Sequence, residues 1–143
     1  MKISFVGFKD NPVSIFSELA EGLSKKISGL ELSERFVPFL EDLPIVALEE
    51  ANESDFIFVF AVVEENKKDF LLDKLIDVEV KTETRILKAI EFDEFSDLEE
   101  EEFFEQKDLL VEKYVDIIVG ILFNELEFEP KEKEFGLWLL KHW

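Results

Sequence analysis

The chain contains no cysteine, and among its 143 residues there is a single histidine, His142. The first absence removes disulfides, thiolate metal ligands and thiol nucleophiles. The second removes multi-histidine metal sites and most mechanisms that need an imidazole base. Glycine is scarce, at five, and none of the five falls in a G-x-G-x-x-G or a G-x-x-x-x-G-K-[ST] pattern. Phosphate cradles of the dinucleotide-binding and P-loop kinds are therefore not expected, and no cofactor or metal is assigned. Positive charge is short as well: 16 Lys and Arg stand against 35 Asp and Glu, a formal net charge of −19. Such a surface repels phosphodiester backbones and anionic lipid, so neither nucleic acid nor a membrane is an expected partner. The longest apolar runs, residues 56–63 and 117–123, fall far below the roughly 20 residues of a spanning helix. The first residues carry no secretory-signal pattern, so a soluble, cytoplasmic protein is the expectation.

What is present can fill a core. The chain is 47% hydrophobic, with sixteen Phe, and its length suits one domain spanning residues 1–143. Residues 3–7 form a short β-favouring run. Asn11 and Pro12 offer a helix cap and a first helical position, and Phe16, Leu19, Ala20, Leu23 and Ile27 recur at helical spacing before Gly29. Residues 32–37 read as a second strand. Asp42 is placed to cap a short helix over 43–51, with Pro44 in its first turn. Residues 55–63 are almost unbroken Phe, Val and Ile, the pattern of a central strand covered on both faces. Residues 67–80 are amphipathic, with Phe70, Leu71, Lys74, Leu75 and Val78 on one face, and 85–92 alternate like an edge strand. An acidic run over 91–105 follows, in which Ser96 and Glu99 suit a capping box. One long helix then extends from Phe103 through Asn124, apolar all round over 114–123. Pro130 restarts the chain, and Phe135, Trp138, Leu139 and His142 form a stripe on a last helix.

Strands alternating with helices predict an α/β protein: a three-layer, doubly wound fold with a four-stranded parallel sheet. In such sheets ligands bind beyond the carboxyl ends of the strands. That rule singles out residues 7–11, 37–42, 62–67 and 92–96. The apolar helix over 114–123 and the terminal stripe exceed what a four-stranded monomer can cover, which predicts a homo-oligomer with residues 125–143 at an interface.

Val37, Pro38, Asp42, Leu43 and Pro44 spell V-P-x-x-x-D-L-P between a strand and a helix, and an apolar strand follows. The succession resembles the lumazine synthase superfamily, and within it the archaeal-type riboflavin synthases. The resemblance implies a lumazine synthase-like fold assembled as a homopentamer with sites between subunits. It also implies dismutation of an unphosphorylated ribityl-lumazine to riboflavin, a reaction the acidic surface tolerates better than chemistry on a phosphorylated butanone. The implied lumazine- or flavin-binding residues are Phe8, Asp10, Asn11, Phe39, Leu40, Glu41, Asp42, Val62, Val63 and Glu64; no catalytic residue is assigned. The family has Gly where Phe39 stands, and Gly, with Arg and His in lumazine synthase, in the loop after the third strand. Residues 61–66 supply none of these. The alternative is a non-catalytic oligomeric scaffold whose pocket Phe39 closes.

Each of these side chains also has a plainer reading. Phe8 is one of many Phe and suits packing, while Asp42 can cap a helix with or without a ligand. Glu64 and Glu65, an acid/base pair on the sharper reading, are otherwise solvated strand-end carboxylates. The acidic run lacks the spacing and glycine of a calcium loop, which leaves a solvated helix face. His142 reads as surface or interface.

Overall fold

A computed structural model describes residues 1–128, with side chains to residue 123. The element order is β1 (Lys2–Phe8), α1 (Phe16–Lys26), β2 (Glu31–Val37), a 3-10 turn (Leu40–Asp42), α2 (Leu43–Ala51), β3 (Phe56–Val63), α3 (Glu65–Thr82), β4 (Arg85–Phe92) and α4 (Glu100–Phe128). All four strands are parallel, in the order β2-β1-β3-β4. The expected three-layer α/β fold is what the chain forms. The stripe at Phe135, Trp138, Leu139 and His142, and residues 129–143 of the tail assigned to an interface, lie outside the described residues; 125–128 continue α4.

The two faces of the sheet are covered by different helix pairs. Phe5, Phe56, Phe58 and Phe60 point toward α1 and α4, where they meet Phe16, Leu19, Leu23, Tyr114 and Ile118. Val6, Ile57, Val59, Ala61 and Ile86 point the other way, onto Leu43, Val46 and Ala47 of α2 and Leu71, Leu75 and Val78 of α3. Every residue of β3 is buried, which is why that strand shows no polar alternation. The chain moves outward from β1 to β2 under α1, then reverses across β1 to β3 and β4 under α2 and α3. Changing face as the direction reverses keeps the crossovers all of one hand, as the handedness rule for parallel sheets requires. Helices α1 and α4 approach closely at Gly22, where a Cβ would stand 2.8 Å from Val115 Cγ2. Lys107 of α4 joins Glu18 of α1 at 2.7 Å.

Several local expectations are corrected. Helix α1 starts at Phe16, not after Pro12, and its N-cap position, Ile15, makes no side-chain cap bond. Val13 and Ile15 are instead buried in the core, and Asn11 is held by β3. Helix α2 has the expected bounds, but Asp42 makes no cap bond: its backbone is already helical, at φ −82° and ψ −14°, continuing the preceding 3-10 turn. Ser96 does not cap α4, which starts at Glu100; its amide and hydroxyl turn back to Asp93. On α3 the buried stripe is Leu71, Leu75 and Val78, while Phe70 lies half outside with Lys74 Nζ 5.9 Å from its ring centre. The stretch over 114–123 is not buried all round: Tyr114, Val115, Ile118 and Leu122 are inside, whereas Phe123 is exposed. Gly29 does mark the turn after α1, at φ 68°.

Candidate functional site

The strand order places the topological switch between β1 and β3, since the chain leaves β1 toward β2 and returns on its far side to β3. The crevice rule puts a ligand beyond the carboxyl ends of these strands. The β1–β3 ladder ends at the Gly7–Phe60 pair, whereas β3 continues beside β4 to the Val63–Phe92 pair. Three residues of β3 thus extend beyond their β1 partner.

Asn11 fills the first rung of that gap. Its Nδ2 donates to the Phe60 carbonyl at 3.2 Å, and its Oδ1 accepts from the Val62 amide at 2.8 Å. A strand residue opposite Ala61 would make the same pair of bonds in a parallel ladder, so the carboxamide replaces a peptide group. Asn11 thus occupies the first rung of the switch point, and the larger open space lies toward β4.

That space is a cleft of about 610 Å3. Asp10 and Pro12 wall it from the loop after β1, residues 62–65 from the end of β3 and start of α3, and Phe92, Asp93 and Ser96 from the end of β4. Among the described residues its polar side chains are four carboxylates and one hydroxyl, with no amine, guanidinium or imidazole. Phe92 is half-exposed, and Lys68 Nζ lies 4.8 Å from its ring centre. Asp93 shapes the turn into α4: its Oδ1 accepts from the amides of Phe95 and Ser96 at 2.9 and 3.0 Å, and its Oδ2 from the Ser96 hydroxyl. The Ser96 hydroxyl, followed by those two amides, holds the Asp93 carboxyl below the usual aspartate range.

The structure divides the sequence-assigned residues among three places. Asp10, Val62, Val63 and Glu64 meet in the cleft. Phe8 and Asn11 line a second, smaller cavity of about 80 Å3, with Phe16, Phe36 and Phe60. Phe39, Leu40, Glu41 and Asp42 line neither. They follow the edge strand β2, and Phe39 is 65% exposed, so among the described residues it plugs neither of these two cavities. Leu40 and Phe8 pack on the α2/α3 side of the core. Among the described residues no group of three or more His, Cys, Asp or Glu side chains is gathered closely enough to hold a metal ion. Phe92, Asp93 and Ser96 also line the cleft; the sequence marks them only as part of the segment 92–96 that the crevice rule selects.

Two polar assemblies elsewhere escaped the sequence reading. At the opposite, amino-terminal end of the sheet, the buried Ser4 hydroxyl meets Ser33 Oγ at 2.9 Å, Glu50 Oε2 at 2.8 Å and the Ser54 hydroxyl. Arg35 reaches Glu49 and Glu50 at 2.7 and 3.3 Å. Beneath α4, the Tyr114 hydroxyl donates to Glu91 Oε1, which also receives Lys113 Nζ at 3.2 Å. Burial, then the Glu91 carboxylate, pushes the Tyr114 phenol well above its ordinary range.

No helix among the described residues is long and apolar enough to cross a membrane. No family model matches the chain, and no curated protein matches it.

Proposed function

We propose that the protein is a diverged lumazine synthase-like protein that binds a ribityl-lumazine or flavin at the carboxyl rim of its sheet, in a site shared between copies. The single observation that carries this reading is the cleft beyond β3 and β4, formed by Asp10, residues 62–65 and residues 92–96. At about 610 Å3 it falls within the roughly 300–1,000 Å3 range of small-molecule sites. Carboxylates accept hydrogen bonds from ribityl hydroxyls, the half-exposed Phe92 ring offers a stacking surface, and the four negative groups disfavour a phosphorylated ligand. Conversion of two bound lumazines would depend chiefly on holding them in register, because the wall offers carboxylates and one hydroxyl for proton transfer.

The position of Phe39 fits a shared site. It is exposed at the corner beyond β2, away from its own cleft, where it can face a neighbouring copy of the homo-oligomer. The family's assembly is a pentamer, acting in the cytoplasm. The same separation favours a second reading, a non-catalytic scaffold, since one subunit alone does not bring the V-P-x-x-x-D-L-P segment to the cleft.

Titration of the purified protein with riboflavin and with ribityl-lumazine, followed by fluorescence, separates the two. Saturable binding at tens of micromolar or below supports the first, and riboflavin formation from bound lumazine adds the reaction. Absence of binding leaves the scaffold. Light scattering at micromolar concentration tests the assembly: a single monomeric species would remove the shared site.

A further inference from the structure

We propose that Asn11 is a positioning residue for the cleft, a surrogate peptide that clamps the loop after β1 to β3 and thereby holds Asp10 against Val62, Val63 and Glu64. The inference rests on the reading of the cleft as a ligand site, and it concerns a residue whose own carboxamide does not face that cleft. After Phe8 the backbone swings toward β2, with the Lys9 amide donating to the Val37 carbonyl at 2.9 Å, and then turns as the Asn11 amide reaches the Phe8 carbonyl at 3.2 Å. The swing lifts Asp10 to the rim but strips β3 of its neighbour. Phe60 and Val62 are 1% and 7% exposed, so without the carboxamide a carbonyl and an amide would lie unpaired inside the sheet. An amide side chain supplies both the donor and the acceptor; an aspartate would set an oxygen against the Phe60 carbonyl, and a serine would fall short.

Two residues further on, Val13 and Ile15 are buried in the α1/α4 side of the core. The loop is thus pinned at Asn11 on one side of Pro12 and at Val13 on the other, with Asp10 next to the pin. A ligand that bridges Asp10 and the end of β3 spans the two halves that Asn11 joins. Binding and clamp closure are then linked, each favouring the other by the same factor.

The test uses the full chain, riboflavin as the probe, and residue-resolved hydrogen exchange read at the Val62 amide. In the wild type that amide exchanges slowly, and riboflavin at ten times its dissociation constant slows it by about another tenfold. Asn11→Ala accelerates exchange at Val62 by tenfold or more, without a matching change at the Ile57 and Phe58 amides of the same strand, and weakens riboflavin binding by tenfold or more. Asn11→Asp behaves as Asn11→Ala does, whereas Asp10→Asn alters binding and leaves Val62 exchange in the free protein unchanged. Unaltered Val62 exchange in Asn11→Ala, or accelerated exchange with undiminished riboflavin affinity, overturns the proposal. If Asn11→Ala does not fold, the wild-type arm decides, because bound riboflavin that adds no protection at Val62 also overturns it. Failure of the wild type to bind riboflavin removes the ligand reading and the positioning role together. In that case Val62 exchange in Asn11→Ala still reports whether the clamp exists.

Discussion

Ser4→Ala tests how much a single buried hydroxyl contributes to joining two strands, the turn before a third and a helix. Ser4 lies in β1 with no exposed surface, and its oxygen meets Ser33 of β2, Ser54 just before β3, and Glu50 of α2. A serine has one proton, and a carboxylate can only accept, so the proton goes to Glu50 and the hydroxyls of Ser33 and Ser54 donate into Ser4. Removing the oxygen deletes one hydrogen bond to a charged group, about 1.5–3 kcal/mol, and two neutral ones of about 0.5–1.5 kcal/mol each. Ser33 and Ser54 are only partly buried and can turn to water, which refunds much of the neutral share. The expected loss is therefore about 2–3 kcal/mol, or a fall in Tm of about 8 °C for a chain of this length. Urea unfolding at neutral pH, with Glu50→Gln and the double variant alongside, measures both the loss and the coupling; residues in one network couple by about 0.5–3 kcal/mol. A Ser4→Ala protein within about 0.5 kcal/mol of wild type, or strict additivity with Glu50→Gln, would refute the inferred direction of the network.

Three further outcomes follow from the packing and the charges. Gly22→Ala places a methyl 2.8 Å from Val115 Cγ2 and should destabilise by about 1–3 kcal/mol despite the better helix former, with Val115→Ala restoring most of the loss in thermal unfolding. Tyr114 is the chain's one tyrosine, so alkaline difference absorbance reads its phenol alone; it should keep its proton past the range in which free tyrosine ionises, and Tyr114→Phe should cost about 1–2 kcal/mol through the lost bond to Glu91. The Asp93 carboxyl, depressed in the folded state, favours the 93–96 turn above the pKa of a free aspartate and loses that contribution as pH falls through its folded value. Side-chain NMR titration should find its midpoint below the ordinary aspartate range in the wild type and shifted upward in Ser96→Ala.

Much of the architecture is legible in the chain because it depends on summed apolar pattern. The unbroken Phe, Ile and Val of β3 can be satisfied only between two helix layers, and β4, with Lys88 and Glu91 interrupting its apolar residues, belongs at an edge. The rim segments named from the crevice rule also converge in part: Asp10, Val62, Val63 and Glu64 share a cleft with Asp93 and Ser96. Phe39 does not join them, because it follows β2, on the side of β1 away from β3.

Short polar residues mark the boundary of what the chain alone settles. Apolar periodicity by itself determined that this is a doubly wound parallel sheet with β3 in its interior, since burial is a sum over many side chains and tolerates local ambiguity. Asn11, Asp42 and Ser96 carry side chains equally suited to helix caps and to other backbone partners. Only the tertiary structure decided among these, by leaving the Phe60 carbonyl and Val62 amide without a strand neighbour and by bringing Asn11 within reach of both.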